Sequence, residues 1–422
     1  SRSNMIKFIL IYVISISSYA GWSSNPAYNP DGEFYDYGKS LPEPNDIRKK
    51  GLPTPSDTSL KHYFNRQLHW ATENREHYAA NASKAPYIFE SELQEFEDVT
   101  DDLAETGLIS YLFYEDGKIK VDKKSPKNRF GDMFNDDSQL LSNSLAKSMV
   151  SYVLGHAICD GYIKDVNEKM DWWLLKNTLY ENQKLIDIIN MRGGDQNYMN
   201  QRTGLKGLYA NGGNVNDSSM LEIMTILTNT EKSSQVFNYS SLPPNIVINY
   251  IKHKVGTEDE YLEFLNNIFQ KKIGIENNVW FVKARKAYKK QYDDGLSISQ
   301  FFATRYDYLR IAKSMLDDWN NDTCVGTYLK TIYENREYKG SDHLKSKPNN
   351  SPNGSFNSYG GFFHTDHKGY WGSPTIMGMD GYGGQMIWIN FDDNRIVVAH
   401  AIHSTYDWKK IVADTVKNGL ER

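Results

Sequence analysis

One stretch of the chain carries the residue types of nucleophilic catalysis at a usable spacing: Ser142-Asn143-Ser144-Leu145-Ala146-Lys147-Ser148-Met149. Ser144 is the only serine of the sequence with a lysine three residues after it. A serine hydroxyl needs a neighbouring base to become a nucleophile, and an i to i+3 spacing on a helix brings two side chains into hydrogen-bond reach. Lysine is a poor base at its free pKa of about 10.4, so a site of this kind must bury it and pull it towards about 7 to 8. That displacement costs about 4 kcal/mol, which the rest of the fold has to supply. The same four residues also fit an N-cap serine followed by a solvated helix lysine, and the surrounding elements decide between the two.

Those elements favour a buried site. After Ser144 the apolar residues Leu145, Met149, Val153 and Ala157 recur every fourth position, with Val150, Leu154 and Ile158 beside them, which predicts one amphipathic helix ending before Gly161. Ser144 then stands at the helix N-terminus, where free N–H groups and the positive end of the dipole favour developing negative charge. Upstream, Leu108 to Tyr114 and Lys118 to Val121 flank Glu115-Asp116-Gly117, a hairpin with an Asp-Gly turn. Further helices are expected over 184–190, 244–254, 258–269 and 298–317. Strands are expected over 385–390 and 395–400, and a closing helix over 407–419. A sheet built from both ends of the chain around a helical insertion follows, with a cleft between two lobes as the binding site.

Length and composition agree with this. At 422 residues, with 39% apolar and 13% aromatic side chains, the chain can fill a sizeable core. Its formal charge of -5 offers no broad positive field for phosphates, so a small-molecule or peptide substrate is expected and no nucleic acid. The ten histidines and two cysteines form no HExxH and no close cluster, so neither metal nor cofactor is expected. Cys159 and Cys324 fit two buried thiols or one disulfide, and the buried thiols are the expectation. Met5, Lys7, the apolar run Phe8 to Ile16 and the small residues before Gly21 resemble a cleaved signal peptide over 1–20, which implies a periplasmic or secreted protein. Residues 21–84, rich at first in Asn, Pro, Gly and Ser, read as an extended surface arm.

The run Leu141 to Ser148, followed by Gly155-His156-Ala157-Ile158-Cys159-Asp160-Gly161, resembles the nucleophile helix of serine β-lactamase-like and penicillin-binding proteins. These include class C β-lactamases, family VIII esterases and 6-aminohexanoate-dimer hydrolases. Two further segments are similar, in order: Leu185 to Gly194, and Phe237-Asn238-Tyr239-Ser240-Ser241. A third, Met379-Asp380-Gly381-Tyr382-Gly383-Gly384-Gln385, resembles the family's glycine-rich strand motif. The resemblance implies an α+β fold over 85–422, with a sheet lobe of about 85–143 and 325–422 and a helical lobe of about 144–324. It implies Ser144, Lys147 and Tyr239 as catalytic residues, the backbone N–H groups of Ser144 and Gln385 as oxyanion hole, and Tyr382, Gly383, Gly384 and Ser241 as substrate-binding residues. Ser241 stands where the family carries Asn, and Tyr382 where it carries a cation for the substrate carboxylate. These departures favour an esterase or amidase over an efficient β-lactamase. They are also the best support for the rival reading, a non-catalytic binding or scaffold protein on the same fold.

Overall fold

The computed structural model describes residues 56–58, 60–61, 63–65, 77–199, 220–283, 296–346, 351–367 and 373–420. The signal-peptide segment 1–20 and the arm up to residue 55 lie outside them.

The strands form two sheets, and most of them are buried along nearly their whole length. The strands in chain order are β1 (His77–Ala80), β2 (Glu90–Ser91), β3 (Leu108–Glu115), β4 (Lys118–Lys124), β5 (Leu140–Leu141), β6 (Val279–Lys283), β7 (Ser297–Ala303), β8 (Glu337–Tyr338), β9 (Phe356–Gly360), β10 (Phe363–His367), β11 (Ile376–Gly381), β12 (Gln385–Asn390) and β13 (Arg395–Ala401). Nine of them form the main sheet in the order β2-β4-β3-β13-β12-β11-β10-β9-β8, antiparallel throughout except for the short β2–β4 edge. The N-terminal hairpin thus pairs with the last strand, Val397 opposite Phe113, as a sheet built from both chain ends requires.

The helices that matter here are α1 (Glu97–Glu105), α2 (Leu145–Cys159), α3 (Leu185–Ile189), α4 (Leu242–Val255), α5 (Glu258–Asn266), α6 (Arg305–Asn320), α7 (Cys324–Glu334) and α8 (Thr415–Asn418). Successive strand residues point to opposite faces. Tyr111, Phe113, Trp388 and Val397 pack with Val99 of α1 and Val416 of α8 on one side. Leu112, Ile387, Ile389 and Val398 belong to the larger core that contains α2, α4 and α6 on the other.

Five expectations need correction. The middle of the chain is not all-helical: β5, β6 and β7 join β1 in a second sheet of order β1-β6-β7-β5. The end of the supposed arm therefore contributes a strand, with Tyr78 and Ala80 buried against β6. The helix expected over 298–317 is a buried strand, Ser297–Ala303, followed by a helix that starts only after the Thr304 cap accepts the Asp307 N–H at 3.1 Å. Nor is α2 amphipathic, since every residue from Leu145 to Ala157 is buried.

The fifth correction is chemical: Cys159 and Cys324 are joined in a disulfide, tying the last residue of α2 to the first of α7 across 165 positions of sequence. Cross-links over long loops stabilise mainly by restricting the unfolded chain. Replacing both cysteines by serine should lower the unfolding free energy by about 2–4 kcal/mol in chemical denaturation. A reduced wild type that unfolds at the same denaturant concentration as the oxidised one would contradict the cross-link.

Candidate active site

The nucleophile loop is made by a two-residue strand that cannot continue. Leu140 and Leu141 pair with Ala303 and Phe302 of β7. Ser142 closes the pairing with its own side chain, accepting the Phe301 N–H at 3.0 Å while its N–H bonds the Phe301 carbonyl at 2.9 Å. Asn143 then takes a left-handed conformation, φ 47°, which Asn tolerates better than most residues and which turns the chain into α2. Ser144 is the N-cap residue, and its carbonyl accepts the Lys147 N–H at 3.2 Å.

The Ser-x-x-Lys spacing does what helix geometry predicts. Lys147 Nζ lies 2.8 Å from Ser144 Oγ. Lys147 is only 3% exposed, and burial pulls its pKa from 10.5 to about 7, with the Asp380 carboxylate pulling weakly the other way. A large part of the lysine is therefore neutral amine near neutrality, able to take a proton from the hydroxyl beside it.

Tyr239 joins this pair. Its hydroxyl hydrogen-bonds Ser144, and Lys147 Nζ sits 4.8 Å from its ring centre. Burial raises its pKa well above 10, against the Ser144 hydrogen bond and with help from Asp380, so it stays a phenol where Lys147 titrates. Two groups whose environments drive their pKa values apart divide acid and base roles between them. The segment that presents Tyr239 is anchored next door. The Asn238 N–H bonds Met191 O at 2.8 Å, just past α3, and its side chain bonds Asp195 Oδ1 at 2.8 Å. The second motif thus holds the third catalytic candidate through backbone and side chain together. His364 stacks over Tyr239 at 6.1 Å and Tyr359 meets it edge-on at 6.1 Å.

The glycine-rich segment forms the turn between β11 and β12. A Cβ on Gly381 would stand 2.4 Å from the Ser142 carbonyl, so this strand end passes directly against the nucleophile loop. Gly383 and Gly384 have φ of 86° and 97°, and a Cβ on Gly384 would lie 2.8 Å from the Tyr406 ring. Both glycines are thus demanded by the backbone. Tyr382 is 42% exposed. Gln385 begins β12 with a buried side chain that bonds both backbone groups of Ala401, donating to its carbonyl at 2.6 Å and accepting its N–H at 3.1 Å. Ser241 is a buried N-cap of α4 whose side chain makes no capping bond.

His400, on β13, sits fully buried with Nδ1 3.1 Å from Gln385 Oε1. Burial and then Arg305 lower its pKa to about 3, so it is neutral. Sequence reasoning missed Asp380 and Asn143. Asp380 lies inside the motif that was read, but a strand carboxylate carries no signal of where its field falls. Asn143 stands beside Ser144, and its amide reaches the Tyr382 carbonyl, 239 positions away, a contact that local spacing does not contain.

No family model matches the chain, and no curated protein does. Solved structures do. A Bacillus anthracis protein assigned as a 6-aminohexanoate-dimer hydrolase is 15% identical with a TM-score of 0.58, covering 83% of this chain and 94% of its own. EstCE1, described as a hydrolase with promiscuous acyltransferase activity, is 10% identical with a TM-score of 0.55, covering 76% and 96%. FmtA from Staphylococcus aureus is 14% identical with a TM-score of 0.50, covering 79% and 89%. At these identities the likeness is one of fold.

The buried lysine has a cost that can be measured. The unfolded chain holds the Lys147 proton up to 10.5, whereas the folded chain releases it at about 7. Stability therefore rises with pH between these values, and the full penalty, about 5 kcal/mol at about 1.4 kcal/mol per pH unit, applies below the lower one. Lys147→Met should stabilise the protein by about 2–4 kcal/mol near pH 6, with the gain shrinking towards about pH 10. Equal stability of the two proteins near pH 6 in urea unfolding would show that Lys147 is not held in this way.

Proposed function

We propose, from the serine β-lactamase-like fold that this chain shares with those structures, that it is a serine hydrolase acting through an acyl-enzyme on an amide, peptide or ester bond. The observation that carries the reading is the 2.8 Å contact between Ser144 Oγ and a buried amine with a pKa of about 7. Neutral Lys147 takes the Ser144 proton as Oγ attacks the carbonyl carbon, and the oxyanion is received by the backbone N–H groups of Ser144 and Gln385. The proton returns to the leaving group through Lys147 and the Tyr239 phenol. Water then attacks the acyl-serine, passing a proton to the same pair, and releases the acid.

The substrate class follows from what surrounds the pair. Tyr382 carries no charge where a carboxylate-bearing substrate would need a cation, and a neutral hydrogen bond is roughly half as strong as a charge-assisted one. Asp380 adds negative charge close enough to raise the pKa of both Lys147 and Tyr239. Neutral esters and amides lose nothing by this, whereas penicillin-type substrates do.

Purified protein should hydrolyse a short-chain p-nitrophenyl ester, cleave nitrocefin slowly or not at all, and label once with a fluorophosphonate probe. Ser144→Ala should abolish turnover and labelling. Lys147→Ala should cost about as much, and the double variant should be little worse, because groups acting as a unit do not add. With neutral Lys147 as the base, kcat/KM should rise with pH below about 7 and level off above it. A well-folded wild type that neither turns over nor labels would leave the scaffold reading in its place.

Export is the second part of the proposal. It is supported by the signal-like pattern of residues 5–20 and by the Cys159–Cys324 disulfide, a bond that persists in oxidising compartments. Expressed in a Gram-negative host, the protein should be recovered from the periplasm with an intact mass that begins near Gly21. Uncut protein in the cytoplasm would refute this.

A further inference from the structure

The proposed oxyanion hole is assembled from two pieces that no strand ladder joins among the described residues. Ser144 follows β5, the edge of the four-stranded sheet, while Gln385 follows the β11–β12 turn of the nine-stranded one. An oxyanion hole works only if its two N–H groups keep their spacing, and a displacement of about 1 Å can cost about 100-fold in rate. The turn is closed by the Gly384 N–H on the Gly381 carbonyl at 3.2 Å, and the Tyr406 hydroxyl donates to the Gly384 carbonyl at 2.6 Å.

We infer that Asn143 is a positioning residue whose side-chain amide holds the two halves of this hole together. Its Nδ2 donates to the Tyr382 carbonyl at 2.7 Å, across 239 positions of sequence. Asn143 immediately precedes Ser144, and Tyr382 stands at the start of the turn that delivers Gln385, so one hydrogen bond spans both pieces. Gln385 Nε2 lies 3.4 Å from the same carbonyl while it grips Ala401. Its reach fixes the turn to β13, and that of Asn143 fixes the turn to the nucleophile loop. The tight passage of Gly381 past the Ser142 carbonyl makes the short bridge possible. The left-handed backbone of Asn143 then has two uses: it starts the helix, and it directs the amide across the gap.

The inference rests on the hydrolase reading above, and the experiment separates the two. Asn143→Gly keeps the left-handed backbone and removes the amide, whereas Asn143→Asp keeps the shape and sets an acceptor against a carbonyl. With a p-nitrophenyl ester, both should lose about 10- to 100-fold in kcat with KM little changed, and fluorophosphonate labelling should slow by a similar factor. In Asn143→Gly the pH midpoint near 7 should stay in place, since the Lys147–Ser144 contact is untouched and no charge is added; the carboxylate of Asn143→Asp should move it upward, as Asp380 already does. If one variant fails to fold, the other decides. Wild-type kcat in a folded variant, or a loss confined to KM, overturns the role of Asn143. Full activity in Ser144→Ala would instead remove the hydrolase reading and this inference with it.

Discussion

A lysine buried in the first turn of a helix that has no solvent face is the constraint on which the rest of this molecule depends. Exposed, Lys147 would be an ammonium ion, useless as a base. Its burial requires α2 to be surrounded, and α4, α7, β7 and the glycine-rich strand β11 all pack against it. Those contacts come from chain segments far apart in sequence. The order of motifs along the chain is therefore a consequence of enclosing one helix: the elements that dry its surface are also those that carry Tyr239 and the β11–β12 turn to its N-terminus.

A helix with so much to position must be held at both ends. At the N-terminal end the Ser142 side chain completes the β5–β7 pairing and Asn143 bridges to Tyr382. At the far end the disulfide binds α2 to α7, next to a polar cluster in which Lys272 Nζ lies 2.8 Å from both His156 Nε2 and Asp318 Oδ2. Tyr152 also donates to Asp318, and Thr323 to its other oxygen at 2.8 Å. Burial and the Lys272 charge lower His156 to about 4, so the ring is neutral and the ion pair is Lys272 with Asp318. His156 and Asp318 are buried and satisfied here beneath the more exposed Lys272, which makes a stiff anchor rather than a reactive one.

Much of this was legible in the sequence, for identifiable reasons. The Asp116-Gly117 turn has φ of 49° and 85°, the mirror-image turn geometry that such a pair selects, and the hairpin followed. Ser144 and Lys147 met because their spacing is local. Tyr239, far away in sequence, was placed by resemblance alone. The failures are equally physical. A strand buried on both faces loses its alternation, so Ser297–Ala303, directly followed by a true helix, read as one long helix. The four-residue spacing along α2 gave helix correctly, yet it could not show that polar positions such as Ser148 and Ser151 were buried and satisfied by Phe362 O and Tyr328. The disulfide depended on a fold contact that spacing does not contain.

The chemistry proposed here needs a hydroxyl, a neutral amine, a phenol and two aligned N–H groups, and of these only the hydroxyl, amine and phenol are side chains. The N–H groups belong to the backbone, so any residue can supply them provided the turn is held. Glycine at 383 and 384 gives the turn its shape, and the side chains of Asn143, Gln385 and Tyr406 hold it through the carbonyls of Tyr382, Ala401 and Gly384. Tyr382 contributes its carbonyl to that arrangement while the residue stays 42% exposed, so the atom that holds the turn and the side chain that the proposed site would present to a substrate are separate parts of one residue.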